Sequence, residues 1–374
     1  MHLLCPLDTV QSDIITPALD RVFGIRHMTI AAHRHRLDAA AAVAETAAAA
    51  QIGCDIIELS SEDSPSLLRG ALAQIINDAG MPTLINLSGA SPILAALAQE
   101  VALLRQVPSF VIHPERDTLV WLNHLPNVTP EQGYNIADRL TLDGYFGLFG
   151  CEIIEASVDL KHRNPQLEKL ARHMAWFASR DSRQLYSLMQ HVIRADENGL
   201  TAPLPRELQP YLMPIEQAGL VTLLHGGELK LHDAQALRYL NGGWLEYWLF
   251  AEAASLIGQC PIHDLACGVQ IITQDGVKNE YDLALLCNNQ LYLVECKTQQ
   301  PENRQTGLGV GNNVLFKLDS VSHLSELDAR AMLVSVSRPT EHEVHRADEQ
   351  DIEIVCGHDL VNLRERLRDW LKAS

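Results

Sequence analysis

The chain has 374 residues, 47% of them hydrophobic, and carries a formal net charge of −18. That length suits two or three domains better than one. The acidity argues against coating nucleic acid through a general basic surface, so any nucleic-acid contact must be a local groove, and no apolar run of about eighteen residues is present to span a bilayer.

The first part of the chain alternates strand and helix signals. Strands are predicted over residues 3–7, 27–32, 54–59, 82–87 and 109–113, and helices over 37–50, 66–79 and 92–104. The run Cys54–Leu59, with Ile56 and Ile57, reads as a buried parallel strand. This alternation predicts a doubly wound parallel sheet, whose ligands sit beyond the carboxyl ends of the strands. Two loops lie there. One holds Asp8, Thr9, Gln11 and Ser12 after the first strand. The other, Ser88-Gly89-Ala90-Ser91, offers a glycine, hydroxyls and helix N-terminal amides, which suit phosphate. From about residue 136 helical patterns dominate, over 167–177 and 183–194. A Gly226-Gly227 hairpin within 221–231 follows, giving a winged-helix-like segment that serves as a spacer. A helix over 244–257, a hairpin, another helix and further strands complete the chain, with an amphipathic tail at 360–371. The apolar start Met1–Leu7 lacks the features of a secretion signal, and eight scattered cysteines without a CxxC pair read as reduced thiols of a cytoplasmic protein. The stretch Cys260, His263, Asp264, Cys267 matches no zinc spacing.

The chemistry concentrates in Asn279–Thr298. Two alternating apolar stretches flank Asn288-Asn289, and asparagine tolerates the left-handed angles of a two-residue hairpin turn. In that register Asp282 faces Glu295, with Cβ atoms roughly 4.5–5.5 Å apart. Two opposed carboxylates among apolar neighbours call for a divalent cation with oxygen ligands. Strand periodicity puts Lys297 on the face of Glu295, while Cys296 turns into packing and offers its backbone carbonyl as a further ligand. Lys297 is then placed to orient water or neutralise phosphate charge. Glu246, on the preceding helix, supplies another carboxylate, and Lys317, in the helix after the hairpin, a phosphate contact. The catalytic set is thus Asp282, Glu295, Lys297, Glu246 and Lys317, and the metal set Asp282, Glu295 and Cys296.

Asp282 with Glu295-Cys296-Lys297 resembles the PD-(D/E)xK nuclease superfamily. The pieces GGWLE (Gly242–Glu246), YDLALL, VECKT and FKLDS (Phe316–Ser320) resemble a narrower group, the CRISPR ancillary nucleases. These join an N-terminal CRISPR-associated Rossmann fold (CARF) to such a nuclease domain. The resemblance implies an α/β chain with a Rossmann-like CARF sensor over residues 1–135. A helical linker with a winged-helix-like segment over 136–237 and a restriction-endonuclease-like α/β domain over 238–374 follow it. The family's sensor stretch N-L-T-G-G-T-K reads here Asn86-Leu87-Ser88-Gly89-Ala90-Ser91-Pro92. Its Lys is replaced by Pro92 and its second Gly by Ala90, and the run His33-Arg34-His35-Arg36 is the available source of compensating charge. The resemblance further implies a homodimer that binds cyclic oligoadenylate, most often the tetramer, across its two-fold axis, and then cleaves DNA or RNA with Mn²⁺ or Mg²⁺ in type III CRISPR antiviral defence. Two other readings remain open. One is a nucleotide-sensing DNA-binding regulator with a non-catalytic nuclease-like domain; the other is a ligand-independent repair or restriction nuclease.

Overall fold

The computed structural model describes residues 1–9, 12–59, 64–113, 116–126, 128–298 and 329–372. Its first unit runs β1 (His2–Leu7), α1 (Thr16–Leu19), β2 (His27–His33), α2 (Leu37–Ala49), β3 (Gly53–Leu59), α3 (Pro65–Asp78), β4 (Thr83–Asn86), α4 (Pro92–Arg105), β5 (Ser109–His113) and β6 (Thr118–Asn123). The sheet order is β3-β2-β1-β4-β5-β6, parallel except for the last strand. The short crossovers carry helices that cover the sheet, as parallel pairing demands. One expectation is corrected here. β3 is parallel to β2 but is the edge strand, and Ile56 and Ile57 are 38% and 36% exposed rather than buried.

The rest of the chain runs α5 (Leu142–Leu148), β7 (Cys151–Glu155), β8 (Val158–Asp159), α6 (Pro165–Arg180), α7 (Ser182–Ile193), α8 (Gln209–Gln217), β9 (Val221–Leu223), β10 (Leu229–Leu231), α9 (Ala234–Arg238) and α10 (Trp244–Ser255). After these come β11 (Ile262–Thr273), β12 (Lys278–Cys287), β13 (Gln290–Lys297), β14 (Ala329–Ser335), α11 (Glu341–Glu349), β15 (Ile352–Cys356) and α12 (Leu363–Lys372). A seven-stranded sheet of order β15-β14-β13-β12-β11-β7, with β8 also on β11, forms the second large layer. Residues 151–159, which the sequence reading assigns to the linker, are therefore strands of the C-terminal sheet. The expected Gly226-Gly227 hairpin is the small sheet of β9 and β10.

Three apolar layers hold these sheets. One lies between α3, α4 and the first sheet, around Leu72, Ile85 and Ala98. The next lies between the two large sheets and includes α2 and α5, gathering Leu3, Met28 and Ile30 with Val43, Phe146, Ile271, Tyr281, Leu286 and Leu293. The last packs Leu283, Leu285, Tyr292 and Val294 on the far face of the second sheet against α6, α7, α10 and α12. The β12–β13 hairpin is thus buried on both faces, which explains why its sequence is almost continuously apolar. Among the described residues no helix is long and apolar enough to cross a membrane, and all eight cysteines are free thiols.

Candidate active site

Asn288 and Asn289 have φ of 52° and 55°, the paired left-handed angles of a tight hairpin turn. They set the register Cys287↔Gln290 through Leu283↔Val294, and continued by one step it brings Asp282 opposite Glu295. The ladder ends there. The Asp282 carboxylate takes the place of a backbone acceptor, its Oδ2 accepting the Cys296 N–H at 2.6 Å. The Lys297 carbonyl accepts the Val336 amide at 2.9 Å, so residue 297 bonds toward β14. Bonding side alternates along a strand, so Cys296 presents both its amide and its carbonyl toward β12, beside Asp282.

The cause of this opening lies one strand away. Gly268 of β11 stands opposite Asp282, between the pairs Cys267↔Leu283 and Val269↔Tyr281, with φ of +58°. Across that point the strands change faces. Cys267 and Leu283 pack toward α10, whereas Val269 and Tyr281 pack toward the first sheet. Simple alternation would put residues 281 and 283 on one face. The Ser157 amide donates to the Cys267 carbonyl at 2.9 Å. A Cβ on Gly268 would stand 2.4 Å from Ser157 Oγ. Asp282 therefore sits at a kink, freed from the ladder on both sides. A glycine inside a strand is the sequence signal for such a kink.

Three carboxylates gather around Cys296. Burial pushes its thiol well above the usual range, and the charges of Asp282, Glu246 and Glu295 push it the same way. Cys267 is pushed up to about 12 by burial, helped by Glu246 and Asp282. Glu246 thus belongs to the same group. It lies in the first turn of α10, after a kink in which Gly242, at φ of +138°, comes so close to Thr298 that a Cβ would lie 2.6 Å from Thr298 Oγ1. The pair Gly242-Gly243 lets α10 start against the end of β13. Glu295 is only 5% exposed. The Tyr281 hydroxyl is buried nearby without a hydrogen-bond partner, and burial, then Cys151 and Glu295, raise its pKa. Lys297 is half-buried, and burial lowers its ammonium pKa while the Glu343 carboxylate opposes that shift. Glu343 comes from the capping box of α11, where its Oε2 accepts the Thr340 amide at 2.6 Å and the Thr340 hydroxyl at 2.9 Å. Sequence reasoning missed Glu343, and it gave no role to Tyr281 of the YDLALL stretch or to Cys267.

Among the described residues no three His, Cys, Asp or Glu side chains already form a metal cage. The donor set still fits a hard cation: Asp282 and Glu295 carboxylates, with the Cys296 carbonyl on the Asp282 side. Magnesium-type sites use one or two carboxylates and leave other positions to water and phosphate. Lys317 and the FKLDS stretch lie outside the described residues. His263 pairs with Asp138 at 3.5 Å, and Asp264 accepts the Leu142 amide at 2.8 Å, so these residues of the Cys260–Cys267 stretch serve the packing of residues 138–142.

At the carboxyl ends of β1 and β4 the two candidate ligand loops are knitted together. The Asp8 and Thr9 amides donate to the Gly89 carbonyl at 2.8 and 3.0 Å. Asp8 Oδ2 accepts the Ser91 amide at 2.9 Å, so one amide at the start of α4 is already engaged. Buried Asn86 donates to the Asp13 carbonyl at 2.7 Å, and its Oδ1 accepts the Ser88 amide and hydroxyl at 3.1 and 2.8 Å. Gly89 is needed for space, because a Cβ there would lie 2.8 Å from Ile14. Ala90 closes the turn, its amide donating to the Leu87 carbonyl at 3.2 Å, and Ser12 opens a short 3-10 turn over Ser12–Ile14. Gln11 lies outside the described residues. The His33 and His35 rings stack at 6.1 Å at the end of β2, beside this mouth.

Residues 233–374 match the family model of the Card1-like endonuclease domain. This part of the chain is therefore similar to Card1-like endonuclease domains. The whole chain has the fold of protein VC1899 from Vibrio cholerae, with a TM-score of 0.86, 24% identity and coverage of 100% of this chain and 98% of that one. Can2 from Sulfobacillus thermosulfidooxidans, solved with cyclic tetra-adenylate, aligns at a TM-score of 0.77 and 18% identity, over 99% and 97% of the two chains. A type III CRISPR defence DNA nuclease activated by cyclic oligoadenylate aligns at 0.54 and 15% identity, over 89% of this chain and 45% of that one. No curated protein matches. These likenesses give the fold, an α/β unit with a mostly parallel sheet followed by a second, mixed sheet, and the stretch that matches the family model includes Glu246, Asp282, Glu295 and Lys297.

Proposed function

We propose that the chain is a metal-dependent nuclease of type III CRISPR defence, switched on by cyclic oligoadenylate, with the tetramer as the expected ring. The observation that carries this reading is Asp282 and Glu295 face to face at the end of the hairpin ladder, with Lys297 following, inside a Card1-like endonuclease domain. The domain ranges are 1–135, 136–237 and 238–374, as the sequence suggests, with the strands of residues 151–159 shared into the last. The likeness to Can2, solved with cyclic tetra-adenylate, supports the activator.

Asp282, Glu295 and the Cys296 carbonyl would hold Mn²⁺ or Mg²⁺. Such a cation supplies Lewis-acid activation of water and charge neutralisation at the scissile phosphate. The chain's own residues do the rest. The Cys296 amide fixes the Asp282 carboxylate in one rotamer, and burial of Glu295 keeps water from competing for it. Lys297, desolvated, lies at the end of the same strand to orient the attacking water or meet the charge that grows on phosphate. Glu246 adds a third carboxylate to the group. At the other end, Asp8, Thr9, Ser12, Asn86, Ser88, Gly89, Ala90 and Ser91 frame the mouth for the ring, Gln11 is expected to contribute from the sequence, and the run 33–36 gives cationic help in place of the absent lysine. A ring with two-fold symmetry calls for two sensor domains, hence a homodimer.

The test incubates the purified protein and its Lys297→Ala variant with Mn²⁺ and labelled single-stranded and duplex DNA and RNA, with and without cyclic tri-, tetra- and hexa-adenylate. Cleavage that needs one ring and disappears in the variant is expected. Cleavage without any ring would move the chain to the repair or restriction reading, and no cleavage under any condition would leave the sensor-regulator reading.

A further inference from the structure

The turn of the catalytic hairpin is buried in the sensor. Asn289 is 1% exposed, and its side-chain amide donates to Asp117 Oδ2 at 2.8 Å. Asp117 is 3% exposed and lies in the turn between β5 and β6 of the sensor sheet, with φ of +48°. Its second oxygen and the Asn289 side-chain oxygen are both buried without partners. This is a polar contact buried between the two sheets, with further carboxylates near it, a costly arrangement that packing alone would not select.

The same contact is wired to both ends of the molecule. From the candidate ligand loop, Asn86 holds the Asp13 carbonyl, and the Asp13 carboxylate acts electrostatically on Asp117. A second route runs through Ser88, whose hydroxyl accepts the Ile112 amide of β5 at 2.9 Å, five residues before Asp117. On the other side, Asn289 is six residues from Glu295 along β13, roughly 20 Å of strand at about 3.3 Å per residue. That strand is buried on both faces and paired on both edges, so a shift at its turn moves the catalytic end with it.

We propose that the Asp117–Asn289 contact is a positioning joint that couples the state of the sensor's ligand loops to the placement of Asp282, Glu295 and Lys297. This rests on the ligand-gated reading above. The surroundings also make the joint proton-sensitive. Burial raises the Asp117 pKa to about 8, opposed by the Asn289 amide and helped by the carboxylates of Asp13, Asp138 and Asp20. Asp138, itself raised by burial, is held by His263 of β11 and by the Asn289 backbone. Asp20, at the end of α1, accepts the Ala137 amide at 2.9 Å and faces Tyr134. Arg116, in the same turn, points to solvent. The closed joint therefore favours protonated Asp117, and the joint weakens as pH rises from the ordinary carboxylate value of 3.8 to about 8.

The experiment uses the full chain with Mn²⁺ and labelled DNA or RNA. It measures cleavage with and without cyclic tetra-adenylate at pH 6 to 9, and tetra-adenylate binding by calorimetry. Asn289→Gly removes the side-chain amide while keeping a residue that favours the left-handed turn angle. Asp117→Asn keeps the shape and mimics the protonated acid. For Asn289→Gly, basal cleavage and ring binding should stay within about twofold of wild type while stimulation falls at least tenfold. For Asp117→Asn, stimulation should survive and lose its decline between pH 6 and 8. Stimulation within twofold of wild type in Asn289→Gly, or an unchanged pH profile in Asp117→Asn, overturns the joint. Wild-type protein that no ring stimulates overturns the gated reading itself, and shows this before any variant is made.

Discussion

Replacing Gly268 with Ala tests the kink that frees Asp282 from the ladder. The backbone there is left-handed at φ of +58°, which costs a non-glycine residue about 1–2 kcal/mol. The new methyl would also stand 2.4 Å from Ser157 Oγ and 2.8 Å from its Cβ. Forcing extra volume into such a site costs about 1–3 kcal/mol more. The total is about 2–5 kcal/mol, and a cooperative unit of 150–250 residues loses about 2–4 °C in Tm per kcal/mol. Urea and thermal unfolding of Gly268→Ala should therefore show a drop of at least about 4 °C. Adding Ser157→Gly should return the steric part, about 1–3 kcal/mol, and leave the dihedral part. Cleavage should fall in the single variant, because β12 cannot swap faces at Asp282 without β11 doing so. A Gly268→Ala protein within about 0.5 kcal/mol of wild type, or a double variant no better than the single, would refute this account of the kink.

Lys297→Met keeps the buried stem and removes the charge; kcat should fall by about 10²–10³ while DNA or RNA binding changes little, read by single-turnover cleavage and fluorescence anisotropy. Asp282→Asn can still accept the Cys296 amide, so its unfolding midpoint should stay near wild type while Mn²⁺ affinity, measured by calorimetry, falls at least about tenfold. Gly242→Ala should separate α10 from Thr298, lowering cleavage more than a surface change would, and Thr298→Ala should restore part of it. His2 tests the first sheet. It is buried between the hydroxyls of Thr29 and Thr83, at 2.8 and 3.1 Å, and burial lowers its pKa to about 4. A depressed pKa means stability is complete above the unfolded value of about 6.5 and is lost as pH falls toward 4, by up to roughly 3 kcal/mol. His2→Gln should flatten that part of the stability profile.

The hairpin was legible because its turn and its ladder obey local rules: two asparagines for left-handed angles, and apolar residues on both sides. The β/α alternation of the sensor was legible for the same reason. What local rules cannot reveal is where a strand ends up in its sheet. Cys54–Leu59 reads as interior and lies at an edge, because nothing in six residues states how many strands lie beyond them. The kink at Gly268 depends on Ser157, more than a hundred residues upstream, and Glu343 reaches Lys297 from a helix with no motif. Glu246 was legible as a candidate only through its place in a helix start; the crowding of Gly242 on Thr298 supplies the physical reason for the two glycines before it.

The strand β7 borders β11, yet the chain makes it about 110 residues earlier, with the whole helical segment between them. At roughly 5–20 residues per second, a ribosome would leave β7 waiting roughly 6–20 seconds for its partner. During that interval its exposed Ile154 and unpaired backbone edge are a target for chaperones and for stray strands. A fragment starting at residue 238 meets the converse problem, since β11 would face solvent along the edge that β7 and β8 should cover. Expression of the catalytic part alone should therefore begin before residue 151, not at the boundary that motif spacing suggests.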